Sequence, residues 1–244
     1  ELFARGFGAI LGDLDLRWTT TADYFAAVDA AAPACNVAAY VPHGVVRANV
    51  LGLGRAEPDD AAMDAMRALV EEAMEAGAIG MSTGLIYPPG AWARTPEIIE
   101  LAKVVARHGG IYTSHIRNEG DRLLEAVDEA LEIGEKSGCP VQISHHKSGG
   151  VPGGTLRSLP HIAAARERGI AVDIDVYPYT ASSSALAAMF RIGGSVFETV
   201  PALIGSVKYN KEKYEGKYIS QIAEEMALPV NDAIKRLLDE EENT

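Results

Sequence analysis

Two strand-like runs that each end in histidine decide the fold: Gly110-Ile-Tyr-Thr-Ser-His115 and Val141-Gln-Ile-Ser-His145, the second followed directly by His146-Lys147. Parallel strands of an α/β barrel end at a common edge, and active sites are built there from the strand ends and the loops after them. Two histidines at matching strand ends therefore predict two imidazoles at one edge. They act there either as ligands of a metal such as zinc or as structural hydrogen-bonding groups.

Strand-like runs recur along the chain with the period of βα units. They begin near Asn36, Ala78, Gly110, Pro140 and Ile170, and the last four are spaced by 32, 30 and 30 residues. Amphipathic stretches with helical spacing lie between them and end near glycine, which is typical of parallel βαβ units. Eight units close a barrel. The sequence therefore predicts an α/β fold, a partial (βα)8 TIM-type barrel with parallel strands and about five to six of the eight units, the sixth being a short strand at 203–207.

The helical stretches and the strands together predict one incomplete barrel domain over residues 1–244. A lead-in and a first helix occupy 1–35, five βα units occupy 36–180, and a shortened tail with closing helices occupies 181–244. Because Glu1 is not an initiator methionine, we also expect the chain to be a fragment of a longer one. The predicted helices span 21–32, 59–76, 95–107, 119–137, 156–168, 218–226 and 230–241.

The net charge argues against two classes of binding partner. The formal net charge is -12, from 22 Lys and Arg against 34 Asp and Glu. Nucleic acids and anionic membranes both attract basic surfaces, so neither is an expected partner. We find no apolar run near the ~20 residues of a membrane helix and no secretory signal. With only two cysteines, Cys35 and Cys139, we expect a cytoplasmic, reducing location.

Polar residues crowd the carboxyl ends of the predicted strands, whereas glycines lie at the opposite ends. A site built from βα loops has this distribution. No phosphate-binding glycine pattern follows a strand, and Ser82 lies in Met-Ser-Thr-Gly rather than in the elbow of a serine hydrolase. The polar strand ends contain Tyr40–Gly44, Ser82–Pro89, Ser114–Glu119, His145–Gly150 and Asp173–Thr180.

Four ordered motifs carry a resemblance to a known family. They are Gly77-Ala-Ile-Gly-Met-Ser-Thr-Gly-Leu-Ile-Tyr-Pro-Pro89, Tyr112-Thr-Ser-His-Ile-Arg-Asn-Glu119, Gln142-Ile-Ser-His-His-Lys147 and Asp175-Val-Tyr-Pro-Tyr-Thr180. In this order they resemble the N-acyl-D-amino-acid deacylase (D-aminoacylase) family of the metal-dependent amidohydrolase superfamily. The resemblance covers most of the chain.

The resemblance implies a distorted (βα)8 barrel in which a zinc-bound water attacks an amide carbonyl. The substrate would be a small N-acyl-D-amino acid, hydrolysed to a D-amino acid and a carboxylate. The family's zinc-ligand histidines match His115 and His145, and zinc is the implied cofactor. Its substrate-contacting region corresponds to Tyr87, Lys147, Tyr177, Tyr179 and Ser184.

The chain also departs from the family pattern. The family's His-x-His pair, its cysteine ligand and its catalytic aspartate have no counterpart, so no residue is assigned a catalytic role and weak or absent activity is expected. Two alternatives follow: a non-catalytic degenerate barrel that binds a metabolite or acts as a scaffold, and another cyclic-amide amidohydrolase resembling dihydroorotase or hydantoinase. An open sheet with unpaired edges also predicts self-association.

Overall fold

The computed structural model describes residues 18–149, 152–193, 197 and 200–242. These residues form two compact units. One covers Trp18–Pro178, and the other begins at Tyr179. Most of the predicted lead-in, residues 1–17, lies outside the described residues. That residues 1–244 form a single domain stays a prediction.

Five parallel strands form one sheet in the first unit, and they follow one another in chain order. This order, with helices between the strands, confirms the α/β class and the partial TIM-type barrel. The first strand begins later than predicted, at Val41. Segment 203–207 adds no strand to this sheet, because Leu203 forms only an isolated antiparallel bridge with Tyr218. The strands are β1 (Val41–Pro42), β2 (Gly80–Gly84), β3 (Ile111–His115), β4 (Val141–Ile143) and β5 (Val172–Ile174).

Most helices of the first unit lie where the sequence predicts them. The helix His43–Leu51 was not predicted, because it begins directly at the end of β1 without a capping side chain. None of the helices among the described residues is long and apolar enough to cross a membrane. In the first unit the helices are α1 (Thr21–Ala30), α2 (His43–Leu51), α3 (Asp60–Glu75), a 3₁₀ turn (Gly90–Trp92), α4 (Thr95–Arg107), α5 (Leu123–Ser137) and α6 (Gly154–Glu167).

The second unit packs its own small core. Its buried side chains come mainly from the two closing helices and the segment before them, and include Ile204, Tyr214, Ile222 and Ile234. The side chain of Glu241 is fully buried and accepts hydrogen bonds from the backbone N–H groups of Tyr209 and Asn210. The helices of this unit are α7 (Leu186–Gly193), α8 (Lys211–Tyr214), α9 (Ile219–Met226) and α10 (Val230–Glu240).

The strand register divides the sheet of the first unit into an apolar and a polar face. Successive side chains of a strand point to opposite faces, so residues paired across the sheet share a face. One paired row is buried and largely apolar, and faces the helices: Met81, Tyr112, Val141 and Val172. The next row is polar: Ser82, Thr113, Gln142 and Asp173. The polar face is the one on which His115 lies.

Two glycines meet different demands of the backbone, a close strand contact at Gly80 and a left-handed helix end at Gly138. At Gly80, a Cβ atom would lie 2.0 Å from the carbonyl oxygen of Ile111, so β2 and β3 begin in contact only because no side chain is present. Gly138 ends α5 in the left-handed conformation, with φ 73°, which glycine adopts without strain.

A buried charged cluster joins α2 to α4. Glu97 accepts a hydrogen bond from His43 Nε2 at 2.8 Å and another from the guanidinium of Arg47, which also donates to the carbonyl of Ala56. His43 and Arg47 are fully buried. Burial alone would raise the pKa of Glu97, but the hydrogen bonds from His43 and Arg47 outweigh it and lower the pKa. The carboxylate of Glu97 is therefore ionised. It is the acceptor for hydrogen bonds from the buried side chains of His43 and Arg47.

We expect Glu97→Ala to destabilise the first unit by about 3–5 kcal/mol, because it leaves the Arg47 guanidinium buried without its counter-ion. Since the folded pKa of Glu97 is lowered, its contribution is present above the unfolded pKa and is lost as the pH falls through the folded value. Urea unfolding followed by tryptophan fluorescence measures this unit, because both tryptophans, Trp18 and Trp92, belong to it.

Glu100→Ala is the matched control on the same helix. Glu100 pairs with Arg67 and Lys103 at the surface, where such pairs contribute roughly 0–1 kcal/mol. Equal losses of stability in the two variants would show that the buried cluster has no special role.

Candidate metal centre

The two strand-end histidines meet at the carboxyl edge of the sheet. His115 is the last residue of β3, and His145 lies two residues after β4, the neighbouring strand. Their rings lie edge to face with centroids 4.5 Å apart, and His115 Nδ1 is 2.9 Å from His145 Nε2. The structure therefore brings together the two imidazoles that the sequence singled out.

A carboxylate that the sequence analysis did not select completes the cluster. Glu119 Oε1 lies 2.9 Å from His145 Nδ1, and Glu119 Oε2 lies 4.0 Å from His115 Nε2. Within the described part of the chain, these three side chains are the one group of three or more with the geometry to hold a metal ion. The sequence contains a signal for this contact, because Glu119 follows His115 by four residues in the motif 112–119. The helical pattern, however, predicts Glu119 as the start of the helix 119–137.

Lys147 and two tyrosines surround this cluster. The Lys147 ammonium donates to Glu119 Oε1 at 2.6 Å and lies 3.1 Å from His145 Nδ1. The Tyr87 ring lies 5.3 Å from the His115 ring, and the Tyr177 ring lies 6.4 Å from the His145 ring. Three predicted substrate-contacting residues are thus beside the histidines. Tyr179 and Ser184 belong to the second unit, and their role stays a prediction.

The backbone at His145 is held in an unusual conformation by the strand beside it. His145 has φ 40°, in the left-handed region that costs a non-glycine residue energy. The carboxylate of Asp175, directly after β5, accepts hydrogen bonds from the His145 backbone N–H at 2.6 Å and from Gln142 Nε2 at 2.8 Å. The His146 N–H donates to the Asp175 carbonyl at 2.8 Å. Asp175 thus directs the His145 side chain towards His115.

Other polar strand-end residues have structural partners. His146 is buried against α6, where its Nε2 lies 2.8 Å from Ser158 Oγ, so it points away from the cluster, as the strand alternation predicts. Arg117 donates two hydrogen bonds to Glu129, and others to the carbonyls of Ala91 and Ala93. It therefore fastens the segment after Tyr87 to α5.

His115 is held in its neutral form by its surroundings. Burial lowers the pKa of His115 to about 4, although the nearby Glu119 carboxylate acts in the opposite direction. Neutral imidazole is the form that binds a metal. Its Nε2 atom is buried and has no hydrogen-bond partner within the described residues, a state that proteins usually avoid.

Comparisons of the sequence identify relatives of known activity. No protein-family model matches the chain. The chain is 43% identical over 181 residues to an N-acyl-D-glutamate deacylase from Alcaligenes xylosoxydans xylosoxydans, an alignment that covers 73% of this chain and 37% of the relative. It is 46% identical over 173 residues to a D-aminoacylase from the same organism, covering 70% of this chain and 35% of the relative.

The fold also resembles a solved structure of an N-acyl-D-glutamate deacylase from Bordetella bronchiseptica, complexed with zinc and a phosphonate inhibitor that mimics the tetrahedral intermediate. The TM-score is 0.85 at 38% identity, and the match covers 94% of this chain and 47% of that one. The chain thus spans between about a third and a half of the length of the proteins it matches.

We expect the His115 ring to titrate with a midpoint of about 4 in the folded chain, compared with about 6.5 after unfolding in urea. The folded state binds this proton less readily than the unfolded state, so stability falls as the pH drops below the unfolded value and levels off below the folded one. Imidazole proton shifts measured against pH, assigned with His115→Ala, provide the test. A folded midpoint equal to the unfolded one contradicts it.

Proposed function

Since this chain belongs to the N-acyl-D-amino-acid deacylase (D-aminoacylase) family of the metal-dependent amidohydrolase superfamily, we propose that it carries part of the zinc site of an amide hydrolase. The proposed reaction is hydrolysis of an N-acyl-D-amino acid to a D-amino acid and a carboxylate. The observation that carries this proposal is the convergence of His115 and His145 at the carboxyl ends of adjacent parallel strands.

The residues present fit a zinc ion at this place. Two nitrogens bound to one tetrahedral zinc at about 2.0–2.1 Å lie about 3.3 Å apart. His115 Nδ1 and His145 Nε2 are 2.9 Å apart, so a small separation of the rings admits the ion between them. The neutral state of His115 also favours binding of zinc.

The chain's own side chains would bind and orient the substrate. When bound, zinc would polarise the acyl carbonyl and lower the pKa of the attacking water. The Lys147 ammonium, beside the histidines, is placed to attract the substrate carboxylate. The rings of Tyr87 and Tyr177 flank the two imidazoles and would limit where the acyl group lies. We assign substrate contacts to Tyr179 and Ser184 as well, because they correspond to the substrate-contacting region of the family.

We further propose that the 244-residue chain binds zinc weakly and turns over little substrate. Catalytic zinc normally has three protein ligands. Within the described residues, the cluster contributes two imidazoles and one carboxylate, and that carboxylate already accepts a hydrogen bond from Lys147. No group that would act as general acid or base is assigned.

We expect His115→Ala and His145→Ala each to reduce zinc affinity by about tenfold or more, because each removes one of two nitrogen ligands. His161→Ala is the matched control, because this histidine lies on α6 and pairs with Asp128 at the surface. Isothermal titration with zinc measures affinity, and release of a D-amino acid measures turnover. If neither variant changes metal binding, the histidines are structural, whereas rapid turnover by the unmodified chain would contradict the proposed weak activity.

Self-association is proposed from the exposed strand edges. Within the described residues, β1 and β5 each pair with a neighbour on one side only, and an unpaired edge offers hydrogen-bonding groups to another chain. We expect sedimentation velocity to detect an oligomer that dissociates on dilution. A monomer at every concentration tested would contradict this proposal.

A cytoplasmic, reducing location is proposed from the thiols. Cys35 and Cys139 are both free. Burial raises the pKa of Cys139 to about 11, so this thiol is protonated and inert at neutral pH.

A further inference from the structure

The Glu119 carboxylate lies against the outer nitrogens of both imidazoles. Each ring has one nitrogen turned towards the other ring, His115 Nδ1 and His145 Nε2, and one turned away. Glu119 Oε1 is 2.9 Å from the outer nitrogen of His145, and Glu119 Oε2 is 4.0 Å from the outer nitrogen of His115. The carboxylate of Glu119 thus lies near both outer nitrogens, and the protonation of these nitrogens defines the tautomer of each ring.

The contact between Glu119 and His145 decides where the His145 proton lies. If Nδ1 carries the proton, it donates a charge-assisted hydrogen bond to the carboxylate, a bond roughly twice as strong as a neutral one. If Nδ1 is bare, it can accept from the Lys147 ammonium at 3.1 Å, but its lone pair then faces a carboxylate oxygen at the shorter distance of 2.9 Å, which is repulsive. The Nδ1–H tautomer is therefore favoured, and it leaves His145 Nε2 as a free lone pair directed at His115.

We propose that Glu119 is a positioning residue that fixes the tautomer and orientation of His145, and that it is not itself a metal ligand. This inference rests on the proposed zinc site and adds a residue that the sequence motifs did not assign to it. A ligand histidine generally donates its second ring N–H to a carboxylate, carbonyl or water, which sets the ring orientation and raises its basicity. Glu119 has the geometry for this role at His145.

The position of Lys147 argues against Glu119 as a ligand. A metal bound by Glu119 and the outer nitrogens would lie close to the Lys147 ammonium. That ammonium is 2.6 Å from Glu119 Oε1 and 3.1 Å from His145 Nδ1. A divalent cation there would be held against another positive charge. Between the two inner nitrogens, the ion is on the far side of the rings from that ammonium. The charges therefore favour the inner position.

Glu119 also holds Lys147 while leaving it able to bind a substrate. The ammonium has three N–H donors. One is directed at Glu119 Oε1 at 2.6 Å and another at the His145 carbonyl at 3.3 Å. In the Nδ1–H tautomer, His145 Nδ1 does not accept from this ammonium 3.1 Å away, so the remaining donor can meet an anionic group of the substrate. The same carboxylate thus orients both a ligand and a substrate-binding cation.

The backbone of Glu119 is itself well fixed. The Gly149 N–H donates to the Glu119 carbonyl at 2.6 Å, which joins the loop after β3 to the loop after β4. The Asn118 side chain accepts hydrogen bonds from the N–H groups of Gly120 at 2.8 Å and Arg122 at 3.1 Å. A positioning residue requires such support from its own surroundings.

The tautomer of His145 in the metal-free chain provides the first test. Long-range proton–nitrogen correlation spectra of the 244-residue chain with nitrogen-15-labelled histidine, recorded at mildly alkaline pH and assigned with His145→Ala, distinguish the two tautomers. We expect His145 to be Nδ1–H in the unmodified chain and to shift towards Nε2–H in Glu119→Ala. Glu125→Ala is the control, because Glu125 pairs with Arg122 at the surface. An unchanged tautomer in Glu119→Ala overturns the proposal.

Zinc affinity separates a positioning role from ligation. Loss of such an outer partner typically weakens metal binding by about 10- to 100-fold, and we expect this of Glu119→Ala. Glu119→Gln keeps an oxygen that accepts the Nδ1–H bond, so it should recover most of the affinity. A loss in Glu119→Gln as large as that in His145→Ala would make Glu119 a ligand and overturn the proposal. If the unmodified chain binds no zinc at all, the proposed function fails, while the tautomer measurement still decides the role of Glu119.

Discussion

The parallel pairing of β3 with β4 is the constraint on which the rest of the site depends. Tyr112 pairs with Val141 and Ser114 with Ile143, so His115 and the residues after β4 emerge at the same edge. A slip of one residue would exchange the faces of β4 and present its apolar side chains to the polar face. The burial of Tyr112, Val141 and Ile143 against the helices opposes that slip. Packing on one face of the sheet thus places the histidines on the other.

Strand pairing alone does not orient the imidazole of His145. The additional constraint comes from the residue that follows β5. Asp175 follows β5 directly, and its carboxylate accepts a hydrogen bond from the His145 backbone and stabilises its left-handed conformation. Strain of this kind persists only when the surrounding structure compensates for it. Asp175 also binds Gln142 within β4, so one carboxylate fixes both the strand and the turn after it. Three successive strands, β3, β4 and β5, therefore help to position the cluster of His115, Glu119 and His145.

The features that the sequence predicted are those that depend on local periodicity. Helix 95–107 was predicted to the residue, because Pro96 marks its first turn and its apolar positions repeat with helical spacing. His115 and His145 were found because strand spacing places equivalent residues at one edge. Glu119 was missed, because its contacts depend on a loop whose shape comes from the bonds of Asn118 and Gly149. The pairing of Glu97 with Arg47 joins two helices and has no periodic signal. Long-range polar contacts of this kind are set by tertiary packing.

The charged side chains of the cluster lie at the outer nitrogens of the two imidazoles. Lys147 Nζ, Glu119 Oε1 and His145 Nδ1 lie within 3.1 Å of one another, whereas the inner nitrogens of His115 and His145 face each other. The carboxylate of Glu119 compensates the charge of the ammonium beside the rings. The backbone contact between Glu119 and Gly149 holds this arrangement in place, because it joins the loop that carries Glu119 to the loop that carries Lys147.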